Sequence, residues 1–352
     1  RVGRRLRDGK LLANAALVRF GAGVPDDKHR ALLDLTEPIP LLPADAPVLV
    51  DLLCAAAAVV ALTDNAGSSH QLIAEAERVY AAVQSERSHA VLLVTRSIVT
   101  SFDPERFDEA VEDGRQAIDI ARRSNDDTLI VLAIQALLRV WYSEGRIDEV
   151  DQHLDLLDSA ARRAMLPFGR VRASLCRSTN ALARGDLGAA HDWTVAAQTT
   201  GRELRTFAAE STTRSQRLLL MWERGDTAGL REATRERASA HPESVWTGLA
   251  AVAGDEGAAR RLTSVAGRVP LDDTHPVFVA FAAMVAARRG DGELGRWCAP
   301  HLRALGDRTI VAGLGTTVLG FGRHFLGLAL WAQGAHRAAA GEFEQAATLA
   351  RD

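Results

Sequence analysis

Residues 321–350 read FGRHFLGLALWAQGAHRAAAGEFEQAATLA. Gly334 divides this stretch into two runs of helical length. In the first run Phe325, Leu328, Ala329 and Ala332 recur at i, i+3, i+4 and i+7, the stripe an amphipathic helix requires. Glycine ends such a helix well, because it takes the left-handed conformation without steric cost. In the second run Ala339, Phe343 and Ala346 carry the same helical spacing. Small residues let two helices approach closely, while large apolar ones fill the space between neighbouring pairs. The stretch therefore reads as a helical hairpin.

The phrase recurs along the chain. LLRVWYSEGRIDEVDQHLDLL turns at Gly145, STNALARGDLGAAHDWTVAA at Gly185 and LLLMWERGDTAGLREATRERASAHP at Gly225. Weaker copies turn at Gly254 and Gly290. In RFDEAVEDGRQAIDIARR only the second helix matches, through Phe107, Ala110 and Ala117. Asp186, Asp226 and Asp103 stand where a side chain caps the helix that follows. Ile130, Ala133, Ile134 and Leu137 form another helical stripe. The sequence shows no strand-like alternation bounded by hairpin turns. Leu326-Gly327, Leu330, Gly334, Ala339, Phe343 and Ala346 fall at tetratricopeptide signature positions. The expectation is an all-α fold, an α-solenoid superhelix of about eight tetratricopeptide-like hairpins.

Helices are expected near 4–19, 27–36, 46–62, 69–84, 88–101, 105–123, 128–143, 147–165 and 168–184. The later ones fall near 187–203, 206–224, 227–240, 244–253, 256–267, 275–289, 292–305, 314–333 and 336–350. The stretch PIPLLPADAP, residues 38–47, is the one plausible joint, since proline fixes φ and displaces the preceding residue from the helical region. The organisation expected is partial-repeat helices over 1–37 and a repeat array over 46–352. Both ends look cut from something longer: RRLRDGK and LARD each resemble the close of a second helix, and Arg1 stands first.

The chain has 352 residues, 47% hydrophobic and 25% charged, enough to bury a sizeable core. Its net charge is −3 and its pI about 6.4, against the basic stripe of a DNA-binding module. Lysine occurs only at Lys10 and Lys28. Cys54, Cys176 and Cys298 make no CxxC pair or metal-ligand spacing and read as small buried residues in a reducing compartment. There is no signal peptide, and the longest apolar run, residues 48–62, is short for a span and contains Asp51. A cytoplasmic protein without membrane contact is expected.

Several stretches imitate catalytic motifs. GRRLRDGK, residues 3–10, has one residue too many for a phosphate loop, and Leu11 stands where Ser or Thr holds magnesium. GLGTTVLGFG, residues 313–322, is not GxGxxG and reads as a helix with small residues packed against a neighbour. Asp126-Asp127 and Asp272-Asp273 read as helix caps, and with Asp26-Asp27 none continues as DDxxD. No HExxH or GxSxG occurs. No catalysis, metal or cofactor is expected.

What remains is the inner surface, which the first helix of each hairpin lines in repeats of this type. Counted from their turn glycines, Tyr142, Trp222 and Trp331 share one groove-facing position, and Gln135, Arg139, Arg172 and His324 belong near them. Aromatics with arginine and glutamine suit a small organic effector or a protein segment in a concave groove. The alternative is that the aromatics pack between adjacent hairpins.

EDGRQAIDIARRSNDDTLIVLAIQALL (112–138), SLCRSTNALARGDLGAAHDWTVAAQTTGREL (174–204), LLLMWERGDTAGL (218–230) and TVLGFGRHFLGLALWAQGAHRAAAGEFEQAATLARD (317–352) carry a family likeness. The chain resembles the C-terminal helical-repeat region of large actinobacterial LuxR-type regulators related to MalT. These join a nucleotide-binding ATPase module to a helix-turn-helix. The resemblance implies a sensor or partner-binding arm that holds the regulator off or releases it. Neither flanking module is present here, so it implies no ATP or DNA binding by this chain. A free-standing scaffold or homo-oligomerisation module is the alternative.

Overall fold

The computed structural model describes residues 8–21, 27–63, 66–204, 206–240, 245–268, 274–315 and 317–351. Asp272-Asp273 and most of the phosphate-loop imitation at 3–10 lie outside them. The helices run α1 Gly9–Gly21, α2 Lys28–Thr36, α3 Pro47–Ala61, α4 Ala66–Val83, α5 Glu86–Thr100 and α6 Phe107–Arg123. They continue with α7 Asp127–Ser143, α8 Ile147–Arg163, α9 Pro167–Ala183, α10 Leu187–Leu204, α11 Phe207–Glu223 and α12 Thr227–Ala240. The last are α13 Val245–Val252, α14 Glu256–Val265, α15 His275–Arg289, α16 Gly292–Leu305, α17 Gly322–Ala332 and α18 His336–Leu349. From α3 onward they follow one another as helical hairpins, so the chain is an all-α helical repeat. First helices begin at residues 47, 86, 127, 167 and 207, roughly forty apart and longer than the ~34 of a tetratricopeptide repeat.

The turns follow from backbone chemistry. Gly145, Gly185, Gly225, Gly254, Gly290 and Gly334 all have positive φ, between 63° and 94°. That conformation costs glycine nothing and any L residue a steric penalty. Aspartate then holds the next helix: Asp186 accepts from the Ala189 N–H at 2.9 Å, Asp226 from Gly229 at 2.9 Å and Asp291 from Leu294 at 3.0 Å. Asp126 likewise accepts from Leu129 at 3.0 Å. Inside the hairpins, buried hydroxyls tie one helix to the other. Ser69 donates to the Ala57 carbonyl at 3.1 Å, Ser97 to Ala110 at 2.7 Å and Ser178 to Ala190 at 2.9 Å. Each bond satisfies a polar group where no water reaches it.

Two compact units divide the chain: residues 1–140 with 148–214, and 141–147 with 215–352. In the first, α3 is buried nearly all round, which explains its unbroken apolar sequence. No helix among the described residues is long and apolar enough to cross a membrane. The proline-rich stretch lies within this unit; it forms a short 3₁₀ turn, Ile39–Leu41, with Leu41 packed against Gly9 of α1. Hairpins meet at points of close approach: a Cβ on Gly114 of α6 would lie 2.5 Å from Leu137 Cδ2 of α7.

In the second unit one apolar cluster joins α11 through α17, with Leu262, Phe278, Phe281, Ile310 and Phe325 among its members. Here one expectation is corrected. The described residues between 313 and 321 are not helical: β1, Thr309–Ala312, pairs antiparallel with β2, Thr317–Phe321, with an irregularity between Ile310 and Val311. Gly313, Gly315 and Gly320 have φ of 56°, 87° and 124°, which no α-helix accommodates. The flanking Thr309, Ile310, Val311, Thr317 and Val318 are β-branched and favour an extended chain. The final first helix therefore starts at Gly322, and Ile310 and Val311 fill the core from a strand.

All three cysteines are free and buried. Burial pushes the Cys54 thiol up to about 12 and raises Cys298 as well, so neither is a thiolate at neutral pH. A maleimide reagent is expected to leave the native chain unlabelled and to add three groups after denaturation, read as a mass shift. Rapid labelling of the native chain would contradict this packing.

Candidate functional site

The residues expected to line a groove meet different environments. In the first unit, Arg139 is buried: its Nε donates to the Ser101 carbonyl at 3.1 Å, and its guanidinium lies 4.3 Å from the Phe102 ring centre. Those contacts hold it inside the packing of α5 and α7. Gln135 is half-buried on α7, and its Nε2 would lie 3.8 Å from a Cβ on Gly169 at the start of α9. Arg172 is buried on α9. In the second unit, Tyr142 is 2% exposed, and its carbonyl accepts a hydrogen bond from the Thr309 hydroxyl. Trp222 is half-buried, edge-on to Phe281 with ring centres 6.0 Å apart. His324 and Trp331 lie two turns apart on α17. His324 is exposed, yet its imidazole packs 5.7 Å from the Phe343 ring and partial desolvation there lowers its pKa; Trp331 is 51% exposed and sits 4.5 Å from His336. The three aromatics at one counted position are thus buried, half-buried and half-exposed.

A second constellation, in the first unit, was not singled out from the sequence. A recess of about 360 Å³ opens between α4, α5 and the 3₁₀ turn Pro104–Arg106. Its apolar part is Ile73 and Val99, both buried. Its polar part is His70 and Glu77 from α4, Arg96 from α5 and Arg106 from the turn. Local folding places each. The Ser97–Ala110 hydrogen bond fixes α5 against α6, and Asp103 accepts from the Glu105 N–H at 3.1 Å, shaping the turn that presents Arg106.

Both guanidiniums are anchored. Arg106 reaches Glu109 Oε2 with Nε at 3.2 Å and Nη2 at 2.7 Å, and its Nη1 lies 3.1 Å from His70 Nε2. Arg96 Nε lies 3.1 Å from Asp113 Oδ2. Burial pushes the Asp113 carboxyl up, against the lowering influence of Arg96. Neither Asp113 nor Glu109 lines the recess. Chemically the arrangement can bind and orient; among the described residues no group of three or more His, Cys, Asp or Glu is placed to hold a metal. No local pattern marks this recess, because His70 and Arg106 are 36 residues apart.

No protein-family model and no curated protein matches this chain. Fold and site define a helical-hairpin repeat protein that carries a small recess lined by both aliphatic and charged side chains.

Proposed function

We propose that the chain is a binding arm: a tetratricopeptide-like ligand-sensing or protein-docking region of a LuxR-type transcriptional regulator, working in the cytoplasm without catalysing a reaction. The repeat itself carries the proposal. Hairpins closed by positive-φ glycines and aspartate caps pack in succession within each unit, and such arrays commonly present extended binding surfaces. The likeness of residues 112–138, 174–204, 218–230 and 317–352 to the helical-repeat arms of those regulators supplies the regulatory role. An effector or a docked protein segment would act by favouring one state of the modules to which the arm is joined. The seven residues from Gln135 to Trp331 are not equivalent candidates for contact; His324 and Trp331 are the exposed ones.

A ligand that binds only the folded chain raises its stability by about 2.7 kcal/mol at one hundred times its Kd. A thermal-shift survey of small metabolites, followed by tryptophan fluorescence, is therefore expected to yield at least one compound that raises the melting temperature. If no compound does so and no purified candidate regulator module binds, the reading fails. Self-association is the second reading, favoured by the exposed Trp331 on the last described hairpin. A clean monomer in sedimentation at high concentration would remove it.

A further inference from the structure

We propose that the recess between α4, α5 and the Pro104–Arg106 turn binds an apolar α-amino acid. The assignment rests on the binding reading above and deepens it by naming a ligand class and a site. Three properties of the recess lead there. Its volume of about 360 Å³ lies at the small end of ligand sites, which run from about 300 to 1,000 Å³. It offers two guanidiniums, from Arg96 and Arg106, and one carboxylate, from Glu77. The buried aliphatic side chains of Ile73 and Val99 share the lining with these polar groups.

A guanidinium carries five N–H donors in a planar fork that fits a carboxylate. At Arg96 the approach to Asp113 is through Nε, and the two Nη atoms carry four further N–H donors between them. At Arg106 the contacts to Glu109 and His70 use one donor on each nitrogen, and each Nη carries a second. The anchoring acids reduce the net positive charge, but they hold both forks before a ligand arrives, which lowers the ordering cost of binding. Because Asp113 and Glu109 stay out of the lining, a ligand carboxylate does not meet them there. Glu77 does line the recess. It would repel a second acid group and accept hydrogen bonds from an ammonium. A molecule with one carboxylate, one ammonium and an aliphatic side chain matches all of these features; a dicarboxylate, a phosphate ester or a simple amine leaves at least one charge unmatched.

The test is calorimetric titration of the full chain with L-leucine, 4-methylpentanoate, which lacks the amine, and isoamylamine, which lacks the carboxylate. L-leucine is expected to bind, 4-methylpentanoate more weakly and isoamylamine not at all. Arg106→Gln is expected to weaken L-leucine by roughly tenfold or more, the scale of one lost charge-assisted hydrogen bond. Glu77→Gln, at an exposed side chain, is expected to abolish the preference for L-leucine over 4-methylpentanoate while the helical circular dichroism stays unchanged. If neither L-leucine nor any other apolar amino acid binds, the ligand class is overturned. L-leucine binding untouched by both substitutions overturns the site while leaving the general binding reading intact.

Discussion

Phe278→Ala is expected to destabilise the second unit by about 3–5 kcal/mol, the usual cost of removing a buried aromatic from a packed core. Phe278 is 1% exposed on α15 and belongs to the cluster that links α11 through α17. Its ring lies edge-on to Trp297 of α16 with centres 6.3 Å apart, and Trp297 in turn packs against His275 and His301. Removing the ring therefore empties one side of an aromatic group as well as an apolar pocket. The surroundings are short of slack, since Ala280, Ala282 and Ala283 on the same helix are themselves fully buried. Urea unfolding checks the figure; a loss below about 1 kcal/mol would mean that the core collapses freely onto the gap.

The second large effect concerns packing between successive hairpins. Leu137 of α7 is fully buried, and Leu137→Ala is expected to cost about 2–5 kcal/mol. Its partner across the hairpin boundary is Gly114 of α6. An alanine Cβ there would stand 2.5 Å from Leu137 Cδ2 and 2.6 Å from Cγ. Rotation of the methyl groups cannot relieve a contact with Cγ, so a helix must shift. Overpacking of this kind costs about 1–3 kcal/mol. Against it stands the intrinsic gain of glycine to alanine inside a helix, roughly 1 kcal/mol. With Leu137 in place the steric cost wins, and Gly114→Ala is expected to destabilise the chain.

What the sequence made legible were positions where backbone chemistry permits few residues. The turn glycines stand out because positive φ favours glycine, although Gln84, Asn125 and Met165 hold a positive φ at other turns, and the aspartates after Gly185 and Gly225 accept from N–H groups of the next helix. Stripe residues such as Ile134 and Leu137 were legible because helical periodicity puts them on one side, and both are fully buried. The β-hairpin was missed because its strands are short and apolar, and residues 317–321 run straight into a helix. Burial depth at the counted groove position was not legible either. Counting from Gly145 gives Arg139 a side of α7, but Ser101 and Phe102, from an earlier hairpin, cover it. The recess was invisible for the same reason: His70, Arg96 and Arg106 converge only once α4, α5 and the turn have packed.

The stacking of one helix pair on the next is tested most directly by measuring the stability change of Gly114→Ala twice, with Leu137 present and in the Leu137→Ala background. The expected result is a change of sign: destabilising beside leucine, and neutral to stabilising by up to about 1 kcal/mol once the leucine is cut back, because only helix propensity then remains. An identical effect in both backgrounds would show that these two helices do not meet as described, and would contradict the packing from which the repeat array is built.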